Sequence, residues 1–431
     1  MLLLIVCKGD ASCLGPLAGL EKQRAVYAGA VAALADRSRT RLVLVTRAQE
    51  SSLAEITRTH RDLAAIGLTR QHVVINAVLP APRDDTDPLA TAIRLREQAE
   101  IASLPAQLRS LPLDQVELKA TNMVGVDALW TLFTTNEPTP AKVMAVPLES
   151  FTDAPLSDLV DELANQDHGL IMCMGKGGVG KSTIAAAIAV ALVGRGHQVH
   201  LTTTDPAGHL SQTLGGTMEN LQVSCIDPAE ATRSYRDHVM ATKGARLDEQ
   251  GRAMLAEDLL SPCTEEVAVF QAFSRVISES CRTFVVVDTA PTGHTLLLLD
   301  ATGSYHRDVA RNMGENMHFT TPLMRLQDPQ ETKVILVTLA ETTPILEAAE
   351  LQADLERAQI HPWAWVVNNS LAAASPFCAL LRLRASEEIP QVDTVRNEHS
   401  TRLALVPMLP TEPVGISALE ELSRTRVALT R

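Results

Sequence analysis

Short, wholly apolar runs separated by amphipathic stretches dominate the hydrophobic pattern of this chain. In residues 40–77 the run Leu42–Val45 is followed by Leu53, Ile56, His60, Leu63 and Ala64 on one helical face, and then by Val73–Ile75. Runs apolar on both faces predict buried parallel strands, and the 3.6-residue spacing between them predicts a crossover helix. The same order recurs at 332–369 with a constant offset of 292. Thr40 aligns with Thr332, Val45 with Val337, Asp62 with Asp354, Leu63 with Leu355 and Asn76 with Asn368. A second match sets Val124–Leu129 (VGVDAL) against Val414–Leu419 (VGISAL). So long an ungapped register marks an internal repeat rather than two generic βαβ units.

The repeat divides the chain into a first half at 1–133, a linker at 134–164 carrying Pro138, Pro140, Pro147 and Pro155, and a complete module at 165–431. Proline at that density reads as an extended connection. Three more strand-like runs, Gly169–Met174, Gln198–Thr203 and Thr283–Val287, occur only in the second module. The first half is therefore expected as an incomplete copy whose sheet lacks strands. Trp363 and Trp365 alternate along a predicted strand and are expected to pack.

Composition narrows the class. At 431 residues and 46% apolar content the chain can build two ordinary cores, and no disordered body is expected. A formal charge of −13 argues against a general nucleic-acid binder, which would carry a basic face. The seven cysteines, at 7, 13, 173, 225, 263, 281 and 378, are scattered without a CxxC pair, which points to a reducing, cytoplasmic setting. The apolar start Met1–Cys7 is too short for a signal core and lacks a basic flank, and no run approaches the roughly 20 apolar residues of a membrane helix, so direct membrane insertion is not expected.

One motif carries chemistry unambiguously. Gly175, Lys176, Gly177, Gly178, Val179, Gly180, Lys181, Ser182 and Thr183 follow the run Gly169–Met174 and precede the Ala-rich segment Ile184–Val193, which Gly194-Arg195-Gly196 ends. This is GxxxxGK[ST] in a strand–loop–helix setting, the pattern of an ATP-binding P-loop. Glycines allow backbone N–H groups to turn onto phosphate oxygens, and the helix N-terminus adds partial positive charge. Lys181 is expected to reach the β- and γ-phosphates and Ser182 to ligate Mg²⁺. Asp205, after one strand-like run, suits activation of the attacking water, although an Asp before Pro also makes simple turns. Asp288, after another, suits Mg²⁺ through a water. Lys176 reads either as a solvated lysine or as a charge-stabilising group for a nucleotide held by a facing module. The fold class is α/β: a P-loop NTPase with a mostly parallel sheet flanked by helices, one complete module plus an incomplete homologous one.

GKGGVGKST, DPAGH, DTAPTGHTLLLLDATGSYHRD, SPCTEEVAVFQAF (261–273), HPWAWVVNNS (361–370) and ASCLGPLAGLEKQR (11–24) together resemble the arsenical pump-driving ATPases, relatives of the ATPases that target tail-anchored proteins. The resemblance spans nearly all the chain after residue 10. It implies two homologous halves, each with a P-loop, and ATP hydrolysis stimulated by As(III) or Sb(III). That hydrolysis drives efflux through a membrane-embedded partner, with a metalloid chaperone as a further partner and a location at the inner face of the cell membrane. It implies ATP on Gly175–Thr183, Asn368 at the adenine, Asp205 in a first switch and Asp288–His294 as a second. It also implies metalloid ligands at Cys13, Cys263 and His294; soft As(III) favours thiolates. The remaining cysteines are expected in the core. The first half departs from the family in lacking its P-loop, its switches and a third thiol. Either a homodimer, with each Lys176 serving the other chain's nucleotide, or a missing-half polypeptide would complete it. Two other readings are a targeting ATPase for hydrophobic client segments, disfavoured by the absence of CxxC, and a truncated ATP-binding chain without a transport role.

Overall fold

The computed structural model describes residues 17–81, 87–130, 132, 154–205, 210–290 and 321–424, with the side chains of residues 17–23, 262 and 263 outside that description. The chain divides into two compact units, Met1–Asp85 with Ala90–Lys119, and Thr86–Leu89 with Ala120–Arg431.

The first unit holds a parallel sheet in the order β1-β2-β3, formed by β1 (Leu42–Thr46), β2 (Gln71–Val78) and β3 (Leu113–Glu117). The helix Glu50–Ala65 crosses from β1 to β2 and buries Leu53 and Ile56 in a cluster with Leu44, Val73 and Ile75. The predicted strand–helix–strand order is present, each strand extending a residue or more past its apolar run, through Thr46 in β1 and Gln71 in β2, because the ladder pairs backbone groups whatever the side chain.

The second unit carries β4 (Gly169–Met174), β5 (Val199–Thr203), β6 (Leu221–Cys225), β7 (Phe284–Asp288), β8 (Thr332–Leu339), β9 (Pro362–Ser370) and β10 (Leu403–Pro407). All pair in parallel, in the order β10-β9-β8-β4-β7-β5-β6. The helix Lys181–Val193 is buried all round, since its small alanines let the sheet and the helices Leu156–Leu163 and Ile416–Arg424 approach closely. The helices Pro262–Glu279 and Thr342–Arg357 cover the opposite face. Sequential crossings on both faces are the α/β architecture that places loops at the carboxyl ends of the central strands.

Part of the segment expected as linker folds. Leu156–Leu163 is a helix starting after Pro155, and Leu156, Leu159, Val160 and Leu163 enter the core. Proline favours a helix start as readily as an extended linker, and the apolar spacing of three, four and seven residues decides between them.

The internal repeat is a structural repeat down to its register. Leu44 stands opposite Val73 as Leu336 stands opposite Trp365, and Val78 meets Glu117 as Ser370 meets Pro407. Glu50–Ala65 and Thr342–Arg357 coincide at the offset of 292. Left-handed backbone recurs at Gly67 and Gln359, at Ala77 and Asn369, and at Gly125 and Gly415. Three of these six positions carry a Cβ, so the repeated geometry overrides the residue's own preference.

The copies differ at one edge. β8 pairs with β4, whereas β1 has no strand partner on its outer edge among the described residues. Val43 and Val45 are 53% and 62% exposed, while their counterparts Ile335 and Val337 are fully buried. A cavity of about 420 Å³ lies along β1 and the helix Glu50–Ala65, lined by Val43, Val45, Glu55, Ile56 and Asn76 among others.

Candidate functional site

The loop between β4 and the helix Lys181–Val193 is shaped by backbone geometry. Gly178 and Gly180 have φ of +82° and +90°. A Cβ on Gly180 would lie 2.1 Å from the Asn368 amide nitrogen, and one on Gly175 would lie 2.3 Å from the Val337 carbonyl oxygen. Neither position accepts another residue type without displacing a neighbour, so both glycines are required by close approach. The helix begins at Lys181, leaving its first N–H groups facing the loop.

Lys181 is buried, and its ammonium donates to the Lys176 carbonyl oxygen at 2.9 Å. Burial pulls its pKa down, while the nearby charges of Asp288 and Asp205 oppose that shift. Asp288, at the end of β7, is 1% exposed. Its Oδ2 accepts from the Ser182 hydroxyl at 2.8 Å and from the Thr203 hydroxyl at 3.2 Å. Burial raises the Asp288 pKa, and the Ser182 bond, Lys181 and Thr203 offset part of the rise. Its other oxygen, Oδ1, is buried without a hydrogen-bond partner. A buried, unsatisfied carboxylate oxygen beside a P-loop serine is the acceptor that a Mg²⁺-bound water would fill, so the donor set fits the metal. Asp205 follows β5, and its backbone N–H donates to the Thr203 hydroxyl at 3.1 Å. Asn368 on β9 donates to the Val179 carbonyl oxygen at 3.0 Å, which ties the middle strand of the repeat to the loop.

Gly175–Thr183, Asp205, Asp288 and Asn368 thus come together at one end of the sheet. Lys176 points elsewhere: its ammonium pairs with Glu347 at 3.0 Å, with the two side chains 51% and 31% exposed. Cys13 and His294 lie outside the described residues, as do residues 206–209, and the side chain of Cys263, in the helix Pro262–Glu279, does too. Among the described residues no group of three His, Cys, Asp or Glu side chains is arranged to hold a metal ion. The expectation that the other cysteines are core holds for Cys173, buried under the loop with its pKa pushed up by burial and by Asp288. It fails for Cys225, which is exposed, and for Cys281 and Cys378, which are partly exposed. Cys225 ends β6, the outermost strand, where one flank faces solvent. Thr203 and Glu347 were not singled out by the motifs. Thr203 stands two residues before Asp205, and Glu347 repeats as Glu55 at the same offset, so both had a sequence signal.

A family model described as anion-transporting ATPase matches residues 3–135, 168–325 and 301–427. An arsenical pump-driving ATPase of Escherichia coli is 61% identical over 414 residues, covering 96% of this chain and 71% of that protein. One from Acidiphilium multivorum is 60% identical over 416 residues, with the same coverage. A putative arsenical pump-driving ATPase of Halobacterium salinarum is 31% identical over 463 residues, covering 96% of this chain and 70% of its own length.

Proposed function

The chain belongs to the anion-transporting ATPases and is an ATPase, and from that premise we propose that its ATP hydrolysis drives efflux of arsenite or antimonite through a membrane-embedded partner. The observation that carries the hydrolysis in this reading is the P-loop, with the Lys181 ammonium bonded to the Lys176 carbonyl and the unsatisfied Asp288 oxygen beside Ser182. In this reading the glycine backbone and Lys181 hold the ATP phosphates, and Ser182 and Asp288 hold Mg²⁺, Asp288 through a water. The metal supplies neutralisation of phosphate charge. Asp205 orients the attacking water, Asn368 lies toward the adenine, and Lys176 leaves Glu347 to stabilise charge on a nucleotide in a facing module.

Metalloid stimulation is proposed to act through Cys13, Cys263 and His294, thiolates being the preferred ligands of As(III). No described helix is long and apolar enough to cross a membrane, so contact with the membrane is proposed to run through the efflux partner at the inner face, with a metalloid chaperone delivering substrate. The groove along β1 is proposed as the seat of a strand and phosphate loop resembling Gly169–Lys181. Glu55, Val45 and Asn76 line it, and their counterparts Glu347, Val337 and Asn368 are the residues that touch the second unit's own P-loop.

Steady-state hydrolysis of MgATP with and without arsenite or antimonite tests the central reading. Stimulation by metalloid that disappears in Cys263→Ala supports it; hydrolysis that depends on Lys181 but ignores metalloid rejects the efflux role while keeping the ATPase.

A further inference from the structure

Glu388 lies in the helix Ala379–Thr394, away from every motif, and is 8% exposed. Its carboxylate accepts three hydrogen bonds, from the Leu371 N–H at 3.1 Å, the Ala372 N–H at 3.0 Å and the Ser370 hydroxyl at 2.9 Å. Ser370 also accepts from the Ala373 N–H at 3.1 Å. These four residues form the turn that leaves β9. Immediately before them stand Asn369, held in the left-handed region with φ +53°, and Asn368, whose amide grips the P-loop at the Val179 carbonyl. The contact leaves no slack, since the Asn368 amide occupies the space a Cβ on Gly180 would need.

A buried carboxylate is costly unless it is hydrogen-bonded and paired. Here burial pushes the Glu388 carboxyl up to about 7, against the three bonds and the charge of Arg384. The first unit repeats the device. The Leu79 N–H, the counterpart of Leu371 at the offset of 292, donates to Glu97 on the helix Pro88–Ala102 at 2.8 Å. Two independent helices thus deliver a carboxylate to the same backbone N–H of the repeat.

We propose that Glu388 is a positioning residue of the ATP site, fixing the turn after β9 so that Asn368 holds the P-loop in its nucleotide-ready shape. This rests on reading Gly175–Thr183 as the ATP site. Packed interiors pass small displacements on rather than absorbing them, so a relaxed turn at Ser370–Ala372 moves Asn368 off Val179. Glu388 touches no phosphate and acts only through Asn368.

The test is calorimetric affinity for MgATP, without metalloid, in Glu388→Gln, Asn368→Ala and the double variant. Loss of a charged acceptor in the turn is expected to weaken ATP about tenfold, with Asn368→Ala similar and the double variant no weaker than the weaker single. Wild-type affinity in Glu388→Gln, or effects that multiply in the double variant, overturn the proposal. If Glu388→Gln does not fold, Ser370→Ala removes one of the three bonds. It is expected to weaken ATP about threefold in the same non-additive way, and full additivity with Asn368→Ala overturns the proposal. Absence of ATP binding in the wild type rejects the P-loop reading itself, a separate outcome.

Discussion

β1-β2-β3 of the first unit and β8-β9-β10 of the second share strand order, register and left-handed positions, yet Val45 is 62% exposed where Val337 is fully buried. The backbone is the same; what differs is the neighbour. In the second unit β4 and its helix lie against β8, and Ile335 and Val337 join the core of the P-loop helix. One strand–loop–helix segment therefore converts a sheet edge into the middle of a sheet and builds the phosphate site. An exposed edge with apolar side chains is a ready template for another strand.

The largest expected effect separates the two copies directly. Val337→Asp places an unpaired charge among fully buried neighbours and should cost at least ~4 kcal/mol, enough to unfold the unit. Val45→Asp, at the same register position, should cost less than about 1 kcal/mol because its side chain faces solvent. Denaturant melts of both variants check this. Equal destabilisation would mean that the β1 edge is covered in solution, and the contrast would fail. Next in size, Lys181→Ala should lower ATP hydrolysis by about 10³-fold and remove nucleotide binding from the whole chain. Residual binding at one ATP per chain would place a second site outside Gly175–Thr183.

Much of this arrangement is legible in the residues. The P-loop, the strand ends at Asp205 and Asp288, and the repeat all follow from local pattern, because backbone turns and buried runs demand particular residue types. The helix Leu156–Leu163 was hidden by Pro155, which fits a helix start as well as a linker. Glu388 was illegible for a different reason: a carboxylate in a helix normally faces water, and only the tertiary packing shows three donors converging on it. Cys225, Cys281 and Cys378 mislead in the opposite sense, since cysteine is usually buried and these sit at or near the surface.

The two carboxylates that hold the repeated turn offer a pH comparison. Glu388 has its folded pKa raised from 4.5 to about 7, chiefly by burial. For an acid raised on folding, stability is full below the unfolded pKa and is lost as pH rises through the folded one. Between about pH 4.5 and 7 Glu388 should therefore withdraw roughly 3 kcal/mol. Glu97, also raised by burial but less enclosed, contributes in the same direction. Unfolding free energies at pH 5 and pH 8 should show the wild type losing stability on going up and Glu388→Gln losing much less. A parallel decline in both would assign the slope to other groups.

The smallest effect concerns Glu347 and Glu55. Glu347 pairs with Lys176 over a largely exposed contact, and such pairs are worth about 0–1 kcal/mol, so Glu347→Gln should barely change stability. Glu55, its counterpart, forms no ion pair among the described residues and faces the groove along β1. If the groove seats a phosphate loop with a lysine in the Lys176 position, Glu55→Gln should weaken the capture of a polypeptide spanning the sequence 165–193, measured by fluorescence anisotropy. That loss should shrink as salt is added, because partly exposed pairs are screened. Glu347→Gln should leave that capture unchanged, since its lysine is already held within its own unit. Capture equally sensitive to both glutamates, or to neither, would sever the parallel between the two edges.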